Sequence, residues 1–121
     1  MGKLEALMHL EIYCLDCESK IKSFPEVGLL PHLTNLEIIA FHNLETLECN
    51  KLLRLTSLQH LHIRLCYKLE NMAGEKLPSS LLLLQITFCP LLEEGSKIKH
   101  PQIWPKIKHI PIIQVNYTQI F

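Results

Sequence analysis

Cysteines and histidines are the residues of this 121-residue chain that could perform metal or redox chemistry. The pair Cys14-x-x-Cys17 has the spacing of two zinc ligands, and Cys49 with His42 could complete a set of four. No second C-x-x-C and no H-x-x-x-H accompanies the pair, and two thiols alone are too few ligands. A redox role lacks the βαβ context of a thioredoxin-like motif. The sequence therefore predicts no metal site and no cofactor.

The seven histidines invite a catalytic interpretation as well. A catalytic constellation needs a nucleophile, a base and an orienting group that converge on one point. His9, His60 and His109 instead share one position of a recurring phrase, so we expect them to be spread along the molecule. The chain is therefore predicted not to be an enzyme, and a thiol-dependent enzyme that uses Cys14 or Cys17 is the less favoured alternative.

Two carboxylates, Glu11 and Glu37, fall at equivalent positions of successive predicted strands. Parallel neighbours in a sheet are about 5 Å apart, and His62 follows in the next strand, so the pattern predicts a patch that is acidic at one end and basic in its middle. A paired-carboxylate hydrolase would need a cleft that raises one of the two pKa values. No shielding element is visible, so the sequence favours an exposed pair of like charges.

A repeated sequence phrase predicts the strands that position these residues. The phrase is L-x-x-L-x-I, with a Leu, Phe or Cys three residues after the Ile. A fifth, variant occurrence ends on Val. Successive starts lie 23 to 26 residues apart. A fixed period in the twenties with this core is the signature of leucine-rich repeats. The five occurrences are Leu7-Leu10-Ile12-Leu15, Leu33-Leu36-Ile38-Phe41, Leu58-Leu61-Ile63-Cys66, Leu81-Leu84-Ile86-Cys89 and the variant Ile107-Ile110-Ile112-Val115.

The strand period of two places Leu61 and Ile63 on one face, and His60, His62 and Arg64 on the other. A single repeat cannot bury its apolar side, so neighbouring repeats must stack. We expect an α/β leucine-rich-repeat solenoid of about five repeats, with short parallel strands on the concave face and irregular convex returns. One domain is expected over residues 1–121, as the C-terminal part of a longer solenoid, with 101–121 as terminating repeat and tail.

The side chains that should face outward from the strands form the predicted protein-binding surface on the concave face. Tyr13 and Arg64 are the expected anchors, because Tyr and Arg are enriched among the residues that dominate interfaces. The mixture of aromatic, cationic and apolar types suits a protein partner. The surface comprises His9, Glu11, Tyr13, Asn35, Glu37, Ile39, His60, His62, Arg64, Leu83, Gln85, Thr87, His109 and Ile113.

Composition restricts the partners and the compartment. Twelve Lys and Arg balance twelve Asp and Glu, which gives no reason to expect nucleic acid, and no apolar stretch is long enough to span a membrane. The cysteine count of five is odd, and Cys66 and Cys89 occupy the same slot of successive repeats. This slot is the position three residues after the Ile of each phrase. Packing in the core is enough to explain cysteines there without a disulfide, so we expect a reducing, cytoplasmic location.

Two runs near the C-terminal end carry a more specific resemblance. The first extends from Leu69-Glu70 through Leu77-Pro78-Ser79-Ser80-Leu81 to Cys89-Pro90-Leu91-Leu92-Glu93-Glu94, and the second is Trp104-Pro105-Lys106-Ile107-Lys108-His109-Ile110-Pro111-Ile112. Both are similar to the C-terminal leucine-rich repeats of plant intracellular disease-resistance proteins of the nucleotide-binding (NLR) type.

The resemblance implies a role in innate immunity, in which the repeats recognise pathogen effectors or host proteins that effectors alter, and help to hold the receptor inactive. No P-loop of the form G-x-x-x-x-G-K-[ST] is present, so nucleotide binding is not carried over. An adaptor of the F-box type is the alternative, since such repeats share the slot cysteine, but their usual I-T-D continuation is missing here.

Overall fold

The computed structural model of the chain describes residues 8–13 and 32–120. The predictions for Leu7, Cys14, Leu15 and Cys17 lie outside those residues. The described strands are β1 His9–Tyr13, β2 Asn35–Ile39, β3 Thr46–Glu48, β4 His60–Arg64, β5 Asn71–Ala73, β6 Leu83–Thr87, β7 Ile112–Val115 and β8 Thr118–Gln119, and the helices are a 3₁₀ helix at Cys49–Leu52, α1 at Pro90–Lys97 and α2 at Trp104–Ile107.

A six-stranded sheet in the order β1-β2-β4-β6-β7-β8 organises the described residues. Its first five strands are parallel, and each pairs in register with the strand that carries the next phrase. Leu36, for example, lies between Leu10 and Leu61. The first four predicted strands are therefore confirmed in position and direction, whereas the solenoid itself stays a prediction.

The middle leucine of the second, third and fourth phrases is fully buried in the core. Leu36, Leu61 and Leu84 are all 0% exposed. Full burial of such a side chain contributes about 1.5–3 kcal/mol. Leu10 and Ile12 of β1 are only partly buried against the same core. The first strand is thus the least covered of the four that carry a regular phrase among the described residues.

The chain leaves each central strand through a residue with a left-handed backbone. Ala40, Leu65 and Phe88 have φ values of 63°, 58° and 55°. Such a conformation costs a non-glycine residue about 1–3 kcal/mol, and persists only where surrounding structure holds it. The N–H of Ala40 donates to the carbonyl of Arg64 at 2.9 Å, and that of Leu65 to the carbonyl of Thr87 at 3.0 Å. These bonds to the next strand hold the turn.

The residue after each left-handed turn points into the core, as predicted for the slot. Phe41, Cys66 and Cys89 are at most 3% exposed. The N–H of Cys66 donates to Cys89 Sγ at 3.4 Å, and that thiol lies 3.5 Å from the carbonyl oxygen of Ile63. The cysteine side chain therefore serves the backbone of the neighbouring turn.

On the opposite side of the core the returns are more regular than expected. Leu44, Leu69 and Leu92, each three residues after a slot residue, are each 0% exposed. Two residues after the first two of these leucines, β3 and β5 begin, and they pair in parallel as a second, two-stranded sheet that sequence reasoning missed. In the third case helix α1 takes this place, and it is the longest helix of the described residues.

The last unit corrects the predicted phase. The variant phrase was aligned on Ile110 and Ile112 with Pro111 inside the strand, but the strand begins at Ile112, which is 38% exposed, whereas Ile113 is 0% exposed and pairs with Leu84. Proline has no N–H to give to a ladder, so it lies just before the strand. Leu82 stands at the position equivalent to Pro111 one unit earlier, and its N–H donates to the carbonyl of Gln59 at 2.9 Å. Pro111 cannot make the corresponding bond.

The C-terminal tail returns along the last parallel strand. β8 pairs antiparallel with β7, and the N–H of Ile120 donates to the carbonyl of Ile113 at 2.8 Å. Ile120 also packs against the core, as expected of an apolar tail. Among the described residues, no helix has the length and apolar character that a membrane crossing requires.

Candidate binding face

We call the face of the six-stranded sheet that points away from the core the outer face. Its central row, read across the paired strands, is occupied by polar side chains. Because the strands are in register, equivalent residues of successive units stand side by side. The row consists of Glu11, Glu37, His62, Gln85 and Gln114.

Glu37 is the centre of the contacts on this face. His9 Nε2 lies 3.0 Å from Glu37 Oε2 and 3.7 Å from Glu11 Oε2. His62 Nδ1 and Arg64 Nη1 approach the other oxygen, Oε1, at 3.8 and 3.9 Å. The two carboxylates are therefore not a bare pair of like charges, because an imidazole from β1 bridges them.

Among the predicted binding residues, His62 is buried and has a strongly shifted pKa. It is 8% exposed, and its Nε2 lies 2.9 Å from Thr87 Oγ1. Burial, followed by the positive charges of Arg64 and His60, lowers the pKa of His62 to about 4. The imidazole is therefore neutral near pH 7. Arg64, not His62, supplies the cation in the middle of the predicted patch.

A second contact line runs from His60 toward the C-terminal strands. His60 Nε2 bonds Gln85 Oε1, and Gln85 Nε2 donates to Gln114 Oε1 at 2.9 Å. The ring of His60 also stacks on that of His62, with centroids 6.2 Å apart. Side chains from three successive strands are thus locked together, which reduces the conformational entropy that a binding partner would have to remove.

Three other predicted surface residues are buried, which contradicts their expected exposure. Ile39 is 4% exposed, and Thr87 is 1% exposed beneath its contact with His62. Ile113 is 0% exposed because of the phase of the last strand. Its place on the outer face belongs to Ile112.

His109 does not lie on the face either. It precedes β7, and its Nε2 lies 3.3 Å from the carbonyl oxygen of Pro78. His109 is therefore not aligned with His9 and His60 as predicted, because the last parallel strand begins only at Ile112.

The remaining predicted residues lie where the strand period placed them. Asn35 and Leu83 are partly exposed in the row of His60, and the backbone of Tyr13 pairs with Ile39, while its side chain lies outside what the structure describes. Sequence reasoning missed Gln114 and Ile112 as members of the face. The signal that could have found them is Pro111, which excludes a strand that runs through it.

The described cysteines are poorly suited to catalysis. Cys49, Cys66 and Cys89 are all 0% exposed. Burial raises the pKa of Cys49 to about 11, and the hydrogen bond with Cys66, together with burial, raises that of Cys89. The pKa of Cys66 is lowered by the hydrogen bond from Cys89, but its sulfur has no access to solvent. A reactive thiol must be both ionised and accessible.

We therefore expect Cys49, Cys66 and Cys89 to resist alkylation by iodoacetamide in the native chain, and to react once the chain is unfolded in denaturant. Peptide mapping by mass spectrometry after timed labelling measures each thiol separately. Labelling of Cys66 or Cys89 at a rate close to that of the denatured chain would contradict the closed packing described above.

Comparison with known proteins gives one informative result. The chain is 34% identical over 114 residues to an Arabidopsis thaliana protein named "Putative disease resistance protein", and the match covers 93% of this chain. The chain spans about 8% of that relative's length. No family model and no solved structure matches the chain. Most of the chain is thus similar to a region of a plant protein that is named for disease resistance.

Proposed function

We propose that this chain is a leucine-rich-repeat, protein-binding module of a plant intracellular immune receptor of the nucleotide-binding type. In this role it recognises a pathogen effector or a host protein altered by one, and contributes to holding the receptor inactive in the cytoplasm. The similarity to a plant disease-resistance protein over most of the chain is the observation that carries the proposal.

The arrangement of the outer face supports binding of a protein in preference to catalysis. Its polar groups are spread over five parallel strands and are held by contacts between strands. Arg64 has a side chain that is 38% exposed, and its Nε is buried without a hydrogen-bond partner in the described residues. The exposed end of the guanidinium suits a carboxylate or carbonyl of a partner, whereas the buried Nε is out of a partner's reach.

Apolar side chains near the C-terminal end of the face add a second type of contact. Leu83 is partly exposed, and Ile112 beside it in register is 38% exposed. Protein interfaces combine an apolar centre with a polar rim. The charged half and the apolar half of the outer face together provide both kinds of surface to one extended partner.

Replacing Arg64 by alanine is expected to weaken partner binding by about 30-fold or more, the effect of losing an interface anchor of about 2 kcal/mol. The fold should persist, because the nearest ion pair of this side chain is long, at 3.9 Å, and lies on the surface of the sheet. The measurement is pull-down of the partner and scoring of cell death in the complete receptor, with thermal unfolding of each variant alongside.

The matched control is Glu75→Ala, since Glu75 is exposed on the opposite side of the core, next to β5. We expect this variant to retain binding and signalling. Equal losses from the two variants would exclude the outer face as the binding surface. Thiol-dependent turnover by the purified chain would instead favour the enzyme alternative.

A further inference from the structure

Three potential metal ligands gather at the N-terminal end of the outer face. His9 and Glu11 are two residues apart on β1, so both side chains point to the same side, and β2 brings Glu37 into register beside Glu11. One ligand atom from each of the three lies within 4.8 Å of the others. His9 and Glu11 are exposed, and Glu37 is partly exposed, so an ion could reach the cluster from solvent.

The distances within the cluster are close to those of ligands around one metal ion. Metal–ligand bonds of about 2.0–2.2 Å at tetrahedral angles place neighbouring ligand atoms about 3.3 Å apart. His9 Nε2 lies 3.0 Å from Glu37 Oε2 and 3.7 Å from Glu11 Oε2. The separations from His9 to the two carboxylates thus lie on either side of the value for one tetrahedral ion.

A neighbouring histidine is oriented in a way that suits a cation. His62 Nδ1 faces Glu37 Oε1 at 3.8 Å, while its Nε2 lies 2.9 Å from Thr87 Oγ1. When Nε2–H donates to Thr87, Nδ1 carries no proton, so His62 does not compete with a cation for the Glu37 carboxylate.

We propose that His9, Glu11 and Glu37 form a binding site for a first-row divalent cation of the Zn²⁺ class. A mixed set of one imidazole and two carboxylates favours such an ion over Mg²⁺ or Ca²⁺, which prefer sites made of oxygen ligands alone. Three protein ligands leave a coordination position open. The bound ion would tie β1 to β2 and would present that open position to a side chain of a partner.

Arg64 is the group that opposes this site. Its Nη1 lies 3.9 Å from Glu37 Oε1, so it adds positive charge close to the ion. It approaches the oxygen that faces His62, however, and leaves Oε2 to His9. The competing interpretation is a salt-bridge network in which a protonated His9 links the two carboxylates and no metal binds.

Titration of the metal-free chain with Co²⁺ and Zn²⁺ separates the two interpretations. We expect Co²⁺ to give visible d–d absorption without the near-ultraviolet charge-transfer bands of thiolate ligands, and Zn²⁺ to displace it. Glu37→Gln should weaken binding of both ions by at least about tenfold, since even groups behind the ligands contribute that much. Saturating Zn²⁺ should also raise the unfolding temperature of the original chain more than that of this variant.

Two control variants sharpen the assignment. His60→Gln removes an imidazole from the same face that contacts Gln85 and not the cluster, and binding should be retained. A variant with Cys14→Ser and Cys17→Ser should also keep its affinity, because the proposed ligands are not thiols. Circular dichroism verifies that each variant is folded. The spectrum of Co²⁺ on the unmodified chain decides the ligand type even if a variant fails to fold.

The proposal is overturned by absence of Co²⁺ and Zn²⁺ binding to the unmodified chain, which would leave the salt-bridge network. It is also overturned by affinity that survives in Glu37→Gln, or by thiolate bands that disappear in the double serine variant. Loss of binding in Glu37→Gln together with retention in both controls supports it. None of these results depends on the identity of a protein partner, so the metal site and the proposed function are tested separately.

Discussion

Replacing Leu61 by alanine is expected to lower the free energy of unfolding by about 2–5 kcal/mol. Leu61 is 0% exposed and lies between Leu36 and Leu84 in the paired strands. Truncation removes buried methyl groups and leaves a cavity that the flanking strands cannot fill, because both are held in register by the backbone ladder. A loss of this size is a large part of the stability of an ordinary domain.

Urea unfolding followed by circular dichroism measures this loss, and Leu82→Ala is the matched control. Leu82 is 53% exposed, so the same chemical change should alter the free energy of unfolding by no more than about 0.5 kcal/mol. Similar losses for the two variants would mean that the strand carrying Leu61 does not present this side chain to the core.

Ile113→Ala should be the second strongly destabilising substitution, again by about 2–5 kcal/mol. Ile113 is 0% exposed and pairs with Leu84, so it occupies in the last strand the position that Leu61 occupies in β4. Ile112 is 38% exposed on the outer face. Its replacement by alanine should cost far less, because little apolar surface returns to water.

This pair of isoleucines tests the phase of the last unit, since the alignment from the sequence phrase gives the opposite order of effects. Urea unfolding of the two variants side by side is sufficient. A larger loss for Ile112→Ala than for Ile113→Ala would restore the strand over Ile110 to Ile112, and with it the placement of His109 on the outer face.

In the proposed role, the outer face is both held in place in advance and able to make new hydrogen bonds to a partner, two properties that usually conflict. The contacts among Glu37, His62 and Arg64 hold these side chains in place before a partner arrives, which lowers the entropic cost of binding. The same contacts also satisfy part of the hydrogen-bonding capacity that a partner would use. An anchor such as Arg64, which is only partly engaged, is therefore a better candidate for recognition than the buried His62.

The amino-acid sequence by itself determined the position, direction and inward face of β1, β2, β4 and β6. Leu36, Leu61 and Leu84 recur at nearly constant spacing, and alternation along a strand then decides which neighbours point outward, so a local pattern is enough. It also determined the burial of the slot residues Cys66 and Cys89. The resemblance to plant disease-resistance proteins, read from the terminal motifs, was confirmed to the extent of the similarity to one such protein.

Only the tertiary structure decided the features that depend on contacts between units. The left-handed turn at Ala40 and the similar turn at Leu65 use ordinary residues, because a hydrogen bond that the turn residue donates to the next strand, and not a glycine, stabilises each. Pairing of β3 with β5 requires two returns of matching length, which no single return reveals.

The chemical character of the outer face was likewise decided by neighbours across the sheet. His62 became a buried, neutral imidazole, and Glu37 became the centre of an ion-pair cluster, because strand register brought Thr87, Arg64 and His9 beside them. Strand periodicity specifies which side a residue faces, but it does not specify how closely adjacent side chains approach. Burial and charge depend on that approach, which is set only when the strands pair.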